Sequence, residues 1–278
     1  MKKIIAILFY LILFLLINCS GNNESDTVNI EWPLLEKGKL LLTCGPTVNI
    51  CKKFIECADG EESLIILIPS AKVENVVAQI WDDSVLFAQA GANNIKIFHT
   101  WDRNEADSPE FVKPLENAYG VWFSGGYTWR LADAYVNTLT HKKLEEILLK
   151  GGVIGGSSAG ASILGSYLMR GGENIKGIMT GYQEGFGFLC NTVIDTHIDS
   201  RNRYKDIENV LKNKPELIGL GLEDESITVI SGDYIEIIGS KNIILYKSHK
   251  NFITLHPGDK YDIKNDKLLE SIDNNRDK

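Results

Sequence analysis

The sequence contains one serine in a setting typical of an activated nucleophile. Residues 151–161 read GGVIGGSSAGA, in which Gly156, Ser158 and Gly160 have the spacing Gly-x-Ser-x-Gly. In this pattern the serine occupies a strained turn between a buried strand and a helix, and its hydroxyl projects from the strand end. Ser157 does not fit the spacing, because residue 159 is alanine. The pattern predicts that Ser158 carries out nucleophilic acyl transfer.

A glycine-rich structural or phosphate-binding turn is the alternative interpretation of these residues. No lysine follows the Gly-Ser run, which disfavours a phosphate loop. Acyl transfer also requires N–H donors for the oxyanion that develops on the substrate. Ala159, at the start of the following helix, is one candidate. Gly125 and Gly126, which end an earlier apolar run, are the others.

A serine nucleophile needs a base, and the chain offers five histidines: His99, His141, His197, His249 and His256. His197 ends a strand-like run downstream of the serine and is the expected base. His256 is the alternative, since α/β-hydrolases carry their histidine near the C-terminus. His141, on an amphipathic helix, is expected to be solvated. The carboxylate that orients the base stays open among Glu173, Glu184, Asp195, Glu223, Asp224 and Glu225.

Short apolar runs alternate with helical patterns after residue 38, which predicts an α/β fold with a doubly wound, mostly parallel sheet. The predicted strands are Leu40–Thr43, Leu64–Ile68, Ile95–Phe98, Val121–Phe123 and Val153–Ile154. The predicted helices are Val73–Ala90, Pro109–Ala118, Trp129–Leu139 and His141–Leu149. In such folds the site lies at the carboxyl ends of the strands.

The C-terminal third has a different pattern. Three β-rich runs, Ile227–Ile230, Tyr234–Ile238 and Ile243–Tyr246, are separated by turn sequences, which predicts a small antiparallel meander. We therefore expect one α/β domain over 38–250. Residues 251–278 are expected to form a C-terminal extension with a disordered tail.

The N-terminus predicts export. Two lysines precede an unbroken apolar run and then Cys19, as in a secretory signal (1–18) followed by a lipidated cysteine. Residues 19–37 are then a flexible tether, and the protein is expected to be a membrane-anchored lipoprotein on the periplasmic or cell-surface side. A net charge of −8 without a basic stripe argues against nucleic-acid binding. The other cysteines fit no zinc pattern, and their disulfide status is left open: Cys44, Cys51, Cys57 and Cys190.

Four ordered segments together resemble the cyanophycinase-like peptidases of family S51, which are relatives of dipeptidase E with a fold similar to class I glutamine amidotransferases. The similarity covers residues 38–247. The segments are GANNIKIFHTWDRNEADSPEFVKPLENAYGVWFSGG (91–126), GGVIGGSSAGA (151–161), IDTHIDSRNR (194–203) and GLGLEDES (219–226).

The resemblance implies a role for each matching residue. Ser158 is the implied nucleophile, His197 the base and Glu173 the charge-relay acid, with Asp224 as the alternative acid. The implied oxyanion positions are Gly125, Gly126 and Ala159. The implied substrate-pocket positions are Asp195, Arg201, Arg203, Thr128 and Thr196. Thr128 and Thr196 stand where the family has glutamines, and Asp206 where it has a third arginine.

The function implied is a serine peptidase that cleaves peptide or isopeptide bonds on the carboxyl side of Asp in short peptides, through an acyl-enzyme. No cofactor or metal is expected, and a homodimer is left open. Two rivals remain. One is an α/β-hydrolase esterase using His256 and Asp224, although the chain has no His-Gly-Gly-Gly loop for it. The other is a non-catalytic surface-binding lipoprotein, which the two threonine replacements favour.

Overall fold

A computed structural model describes residues 31–73, 81–169 and 182–271 of the 278-residue chain. The predicted signal segment, Cys19, most of the tether and Glu173 lie outside these ranges. Among the described residues, no helix is long and apolar enough to cross a membrane.

Fourteen strands form two mixed sheets within the described ranges. The strands are β1 (Lys39–Thr43), β2 (Ile65–Ile68), β3 (Ile95–Ile97), β4 (Gly120–Phe123), β5 (Val153–Ser157), β6 (Gly165–Tyr167), β7 (Leu189–Thr196), β8 (Ile218–Leu222), β9 (Ile227–Ser231), β10 (Tyr234–Ile237), β11 (Ile243–Ser248), β12 (Asn251–Leu255), β13 (Lys260–Asp262) and β14 (Lys267–Glu270).

The larger sheet has nine strands in the order β14-β13-β10-β9-β1-β5-β4-β2-β3. The run β1-β5-β4-β2-β3 is parallel, and β9 begins the antiparallel half by pairing with β1. The central parallel strands are short unalternated runs because both of their faces are buried: all four residues of β2 and of β4 are buried, whereas the edge strand β3 is largely exposed. The predicted α/β fold with parallel strands flanked by helices is confirmed, and the sheet is mixed because the half from β14 to β1 pairs antiparallel.

The smaller sheet has five strands in the order β12-β11-β8-β7-β6. Here β6, β7 and β8 are parallel, whereas β11 and β12 are antiparallel. The C-terminal strands are thus antiparallel, as predicted. They are shared between the sheets, because β9 and β10 join the larger one and β11 joins the smaller one.

Eight α-helices connect the strands of the described ranges. They are α1 (Val48–Cys57), α2 (Trp81–Gln89), α3 (Arg103–Ala106), α4 (Pro109–Val112), α5 (Thr128–Tyr135), α6 (Leu139–Leu149), α7 (Ala159–Ser162) and α8 (Tyr204–Asn213). Two short 3₁₀ helices span Pro33–Leu35 and Lys113–Asn117. A core cluster around Phe54, Phe87 and Trp122, whose rings pack edge to face, fills the space between α1, α2 and the sheet.

Segments at both ends of the expected domain take part in the fold. Trp32, Leu34 and Leu35 are buried in the largest core cluster, because removing these apolar side chains from water is favourable. The strand β12 extends the smaller sheet, and β13 and β14 extend the larger one. Residues 31–37 and 251–271 therefore pack as parts of the domain.

Candidate active site

The serine turn is shaped by close backbone approaches on both sides of Ser158. Ser158 lies between β5 and α7 with φ 52° and ψ −115°, a conformation that non-glycine residues rarely adopt. A Cβ on Gly156 would lie 2.3 Å from the Gly160 carbonyl oxygen, and a Cβ on Gly160 would lie 2.1 Å from that of Phe123. Only glycine fits at either position, so the Gly-x-Ser-x-Gly spacing follows from the packing of α7 against β5 and β4.

His197 joins the serine to a carboxylate. Its Nε2 lies 3.1 Å from Ser158 Oγ, and its Nδ1 lies 2.5 Å from an oxygen of Asp224. Both ring nitrogens are therefore used in this arrangement. With Nδ1–H donating to Asp224, Nε2 is left to accept the proton of the Ser158 hydroxyl, which is the tautomer a general base needs.

The smaller sheet explains how His197 meets Asp224. Thr196 at the end of β7 is in register with Leu222 at the end of β8, and these two strands are parallel. The residues that follow the two strands therefore emerge side by side. His197 takes a left-handed turn with φ 59°, and residues 223–226 cross from β8 in the smaller sheet to β9 in the larger one. Asp224 lies in this connection, next to the His197 ring.

The charge on Asp224 is favoured by its surroundings. Partial burial raises the pKa of this carboxyl, but hydrogen bonds from Ser200 and His197 outweigh it and hold the pKa below its usual value. The backbone N–H of Asp224 donates to Asp199 Oδ1 at 2.9 Å, which fixes the turn. An ionised Asp224 can stabilise the imidazolium that forms when His197 takes a proton.

Cys44 connects the two sheets through hydrogen bonds beside His197 and Asp224. It follows β1 and is buried, and its sulfur accepts the backbone N–H of His197 at 3.2 Å. Its thiol lies 3.5 Å from the Leu222 carbonyl oxygen and 3.4 Å from that of Glu223, so it can donate there. Burial raises the pKa of this thiol to about 12, which keeps it protonated and able to donate.

The same three side chains have a spacing that would suit a metal ion. One ligand atom each of Cys44, His197 and Asp224 lies within 4.8 Å of the others. Their hydrogen bonds to one another and to the backbone account for that spacing. We therefore assign Cys44 to positioning His197 and Asp224.

The glycine turn after β4 approaches the serine from the other side. A Cβ on Gly125 would lie 3.3 Å from Ser158 Cβ, so the Gly125 backbone lies beside Ser158. Gly126 has φ +147°, and a Cβ there would lie 2.3 Å from the Ala71 carbonyl oxygen. Ser124, directly before the turn, hydrogen-bonds to the buried carboxylate of Asp83 on α2. This turn and Ala159 at the start of α7 border Ser158, as an oxyanion site requires.

The predicted pocket residues differ in their burial and in their partners. Asp195 is buried and pairs with Arg203 at 3.7 Å, so the charge of this arginine is balanced by a carboxylate. Arg201 is exposed. Thr128, at the start of α5, and Thr196, at the end of β7, are both buried beside the site.

The other candidates for the base and for its orienting acid take part in different hydrogen bonds. The ring of His256 hydrogen-bonds to Asn242, at 2.9 Å. Glu184 interacts with Asn137. His141 is buried, with its ring between the backbone N–H of Asn137 and the Phe186 carbonyl, so the expectation that it is solvated was wrong. The helix pattern misplaced it because residues 182–188 cover that face of α6.

Two residues that position the site were not predicted from the sequence. Cys44 and Asp83 each act on the site through a neighbour, the first through the backbone of His197 and the second through Ser124. The position of Cys44 just after a predicted strand was a usable signal, because the carboxyl ends of parallel strands converge. Asp83 gave no such signal, since it lies inside a helix.

Comparisons with known proteins point to one family of peptidases. The model of peptidase family S51 matches residues 40–238. The chain is 28% identical to a cyanophycinase from Geminocystis herdmanii over 214 residues, which cover 75% of this chain and 78% of the relative. It is 25% identical to a cyanophycinase from Synechococcus elongatus, over 71% of this chain and 62% of that one.

A solved structure has the same fold. The crystal structure of a peptidase from an acI-B1 Actinobacterium superposes with a TM-score of 0.65 at 22% identity, covering 85% of this chain and 98% of that one. The family match spans the serine turn, the glycine turn, His197 and Asp224. This protein belongs to peptidase family S51.

Proposed function

We propose that this chain is a serine peptidase that works through an acyl-enzyme. The observation that carries the proposal is the chain of hydrogen bonds from Ser158 Oγ to His197 Nε2 and from His197 Nδ1 to Asp224, with a glycine turn beside the serine. Nucleophile, base and orienting acid are within reach of one another, as acyl transfer demands.

The reaction would run in two halves. His197 takes the Ser158 proton while Oγ bonds to the substrate carbonyl carbon, and the resulting imidazolium is stabilised by Asp224. The N–H groups of Gly126 and Ala159 are the expected donors to the oxyanion. His197 then returns the proton to the leaving amine, and a water molecule repeats the sequence to release the acid and free Ser158.

Asp224 is our proposed third member of the triad in place of Glu173. A histidine ring offers only two nitrogens, and Ser158 and Asp224 engage both. Glu173 lies outside the described residues, so this assignment rests on the position of Asp224. The exchange moves the acid from the segment after the serine to the connection between the sheets.

We further propose that the substrates are short peptides with Asp, α- or β-linked, on the acyl side of the cut. The names of the relatives connect them with cyanophycin. Thr128 and Thr196 have short side chains where the family has glutamines, which would widen the pocket and make cyanophycin itself a poorer match. Arg201, which is exposed and whose charge helps to lower the pKa of Asp224, supplies positive charge for an acidic substrate.

Labelling with a serine-reactive fluorophosphonate tests the chemistry without knowledge of the substrate. The wild type should label, Ser158→Ala should not, and Ser157→Ala serves as the matched control that should still label. Cleavage of Asp-Leu by the same proteins then tests the peptidase activity. A wild type that neither labels nor cleaves would favour the non-catalytic surface-binding lipoprotein.

We also propose that Cys19 carries a lipid that anchors the mature protein to a membrane. The support is the sequence pattern of residues 1–19. Cells fed a labelled fatty acid should incorporate it into the wild type and not into Cys19→Ser. Incorporation that is equal in both proteins would contradict the anchor.

A further inference from the structure

An unusual cluster lies next to the glycine turn. Its members are Trp101, Tyr127, Trp129 and Arg130, and we call it the aromatic–arginine cluster. The Arg130 guanidinium carbon is 5.3 Å from the centre of the Trp101 ring, 6.0 Å from that of Tyr127 and 5.0 Å from that of Trp129. Three rings around one guanidinium hold it in place by cation–π attraction.

Arg130 is without a polar partner for its charge among the residues that the structure describes. Within the described ranges its guanidinium makes no hydrogen bond or ion pair, and its Nε is fully buried without an acceptor. A buried donor left unpaired is destabilising, so such groups usually serve a purpose. Arg203 differs, because Asp195 already balances its charge.

The cluster is built on a fixed support. Trp101 Nε1 donates to the Ser70 carbonyl at 2.9 Å, and its ring meets that of His99 edge to face at 4.5 Å. Ser70 Oγ lies 2.7 Å from His99 Nδ1 and 2.6 Å from the Tyr135 hydroxyl. Burial lowers the pKa of His99, which favours the neutral ring and leaves Arg130 as the cation of this group. The fork of Arg130 is therefore presented in a fixed place.

The topology gives the side of the scissile bond on which the cluster lies. In the larger sheet, β1 and β4 flank β5 on opposite sides. The His197 backbone contacts Cys44, which follows β1, whereas Tyr127 and α5 follow β4. Because His197 protonates the leaving amine, that amine departs on the β1 side. The cluster then lies on the acyl side.

We propose that the aromatic–arginine cluster binds the side-chain carboxylate of the acyl-side residue, with Arg130 as the specificity-determining group. The planar fork of an arginine can hold a carboxylate through two N–H donors. This inference rests on the proposed function, and it moves the acidic recognition from Arg201 and Arg203 to Arg130.

The test compares Asp-Leu with its uncharged counterpart Asn-Leu. Arg130→Gln should lower kcat/KM for Asp-Leu about 10- to 100-fold and leave Asn-Leu nearly unchanged. Arg130→Lys should restore part of the loss, since it keeps the charge without the planar fork. Fluorophosphonate labelling of each variant reports an intact Ser158, so failure of the serine chemistry is distinguished from failure of this inference.

A binding measurement tests the cluster without turnover. N-acetyl-aspartate added to Ser158→Ala should change the tryptophan fluorescence, because two of the five tryptophans surround Arg130. The added Arg130→Gln substitution should abolish that response.

Three outcomes would overturn the inference. One is an equal loss for Asp-Leu and Asn-Leu in Arg130→Gln. Another is a wild type that labels with the fluorophosphonate but cleaves Asp-Leu no faster than Asn-Leu. The third is an Arg130 effect that disappears with the C-terminal amide of Asp-Leu, which would mean that Arg130 binds the terminal carboxylate on the leaving side.

Discussion

The two sheets contribute to the active site in different ways. The larger sheet supplies Ser158, the proposed nucleophile, and the glycine turn from β5 and β4, which are hydrogen-bonded neighbours. The smaller sheet supplies His197 after β7, and the connection between the sheets supplies Asp224. One half of the site is thus fixed by backbone packing within a sheet, and the other half depends on how the two sheets meet. Substitutions in the two halves should fail in different ways.

The largest effect is expected at the nucleophile. Ser158→Ala removes the attacking oxygen and should reduce hydrolysis by about 10⁴-fold or more, while the fold is kept because alanine fits the small site. Steady-state cleavage of Asp-Leu and a thermal melt measure the two effects. Ser157→Ala, the matched control on β5, should retain substantial activity. Near-full turnover by the Ser158 variant would disprove the mechanism.

A smaller effect is expected at the junction of the sheets. Cys44→Val keeps much of the volume but can neither accept the His197 N–H nor donate to the Glu223 carbonyl, so the base and the acid lose a common support. We expect kcat to fall about 10- to 100-fold with KM little changed. Cys44→Ser, which can make both hydrogen bonds, should keep most of the activity. Equal losses in both variants would show that sulfur acts in some other way.

The smallest effect concerns stability where α6 meets residues 182–188. Burial lowers the pKa of His141 from its usual 6.5 to about 4, while the ring nitrogens accept from Asn137 and donate to Phe186. Between these pH values His141 is therefore protonated in the unfolded chain and neutral in the folded chain. Stability should fall as pH drops from 6.5 toward 4, by on the order of 2 kcal/mol at pH 4.5.

Urea unfolding at pH 7 and pH 4.5 measures this dependence. The carboxylates of the chain also titrate in the range, so the quantity to compare is the difference between wild type and His141→Gln. Glu145 lies 3.8 Å from the His141 ring, and burial raises the pKa of its carboxyl, but this group is present in both proteins and the comparison isolates His141. An identical pH dependence in the two proteins would contradict a neutral buried His141.

The larger-sheet half of the candidate site is encoded by local sequence patterns. The Gly-x-Ser-x-Gly spacing and the Gly125-Gly126 turn each encode a close backbone approach that only glycine allows, so residue type alone identifies them. The five predicted parallel strands agree with β1 to β5, of which β2 and β4 are buried throughout and carry no polar side chain.

The sequence predicted less of the junction half. The acid was left open among several carboxylates because the choice depends on the register of β7 with β8 and on the crossing at 223–226. The hydrogen bond from the His197 N–H to Cys44 and the burial of His141 are likewise contacts between distant segments. No local pattern encodes them.

The central claim is that the acid of the triad comes from the connection between the sheets. The most direct measurement is kcat/KM for Asp-Leu in two matched variants, Asp224→Asn and Glu173→Gln, with folding checked by thermal melts. Because asparagine cannot hold His197 in the required tautomer or stabilise its charge, Asp224→Asn should lose about 10³- to 10⁴-fold, while Glu173→Gln should stay within about threefold of the wild type. A large loss in Glu173→Gln together with an active Asp224→Asn would contradict this account.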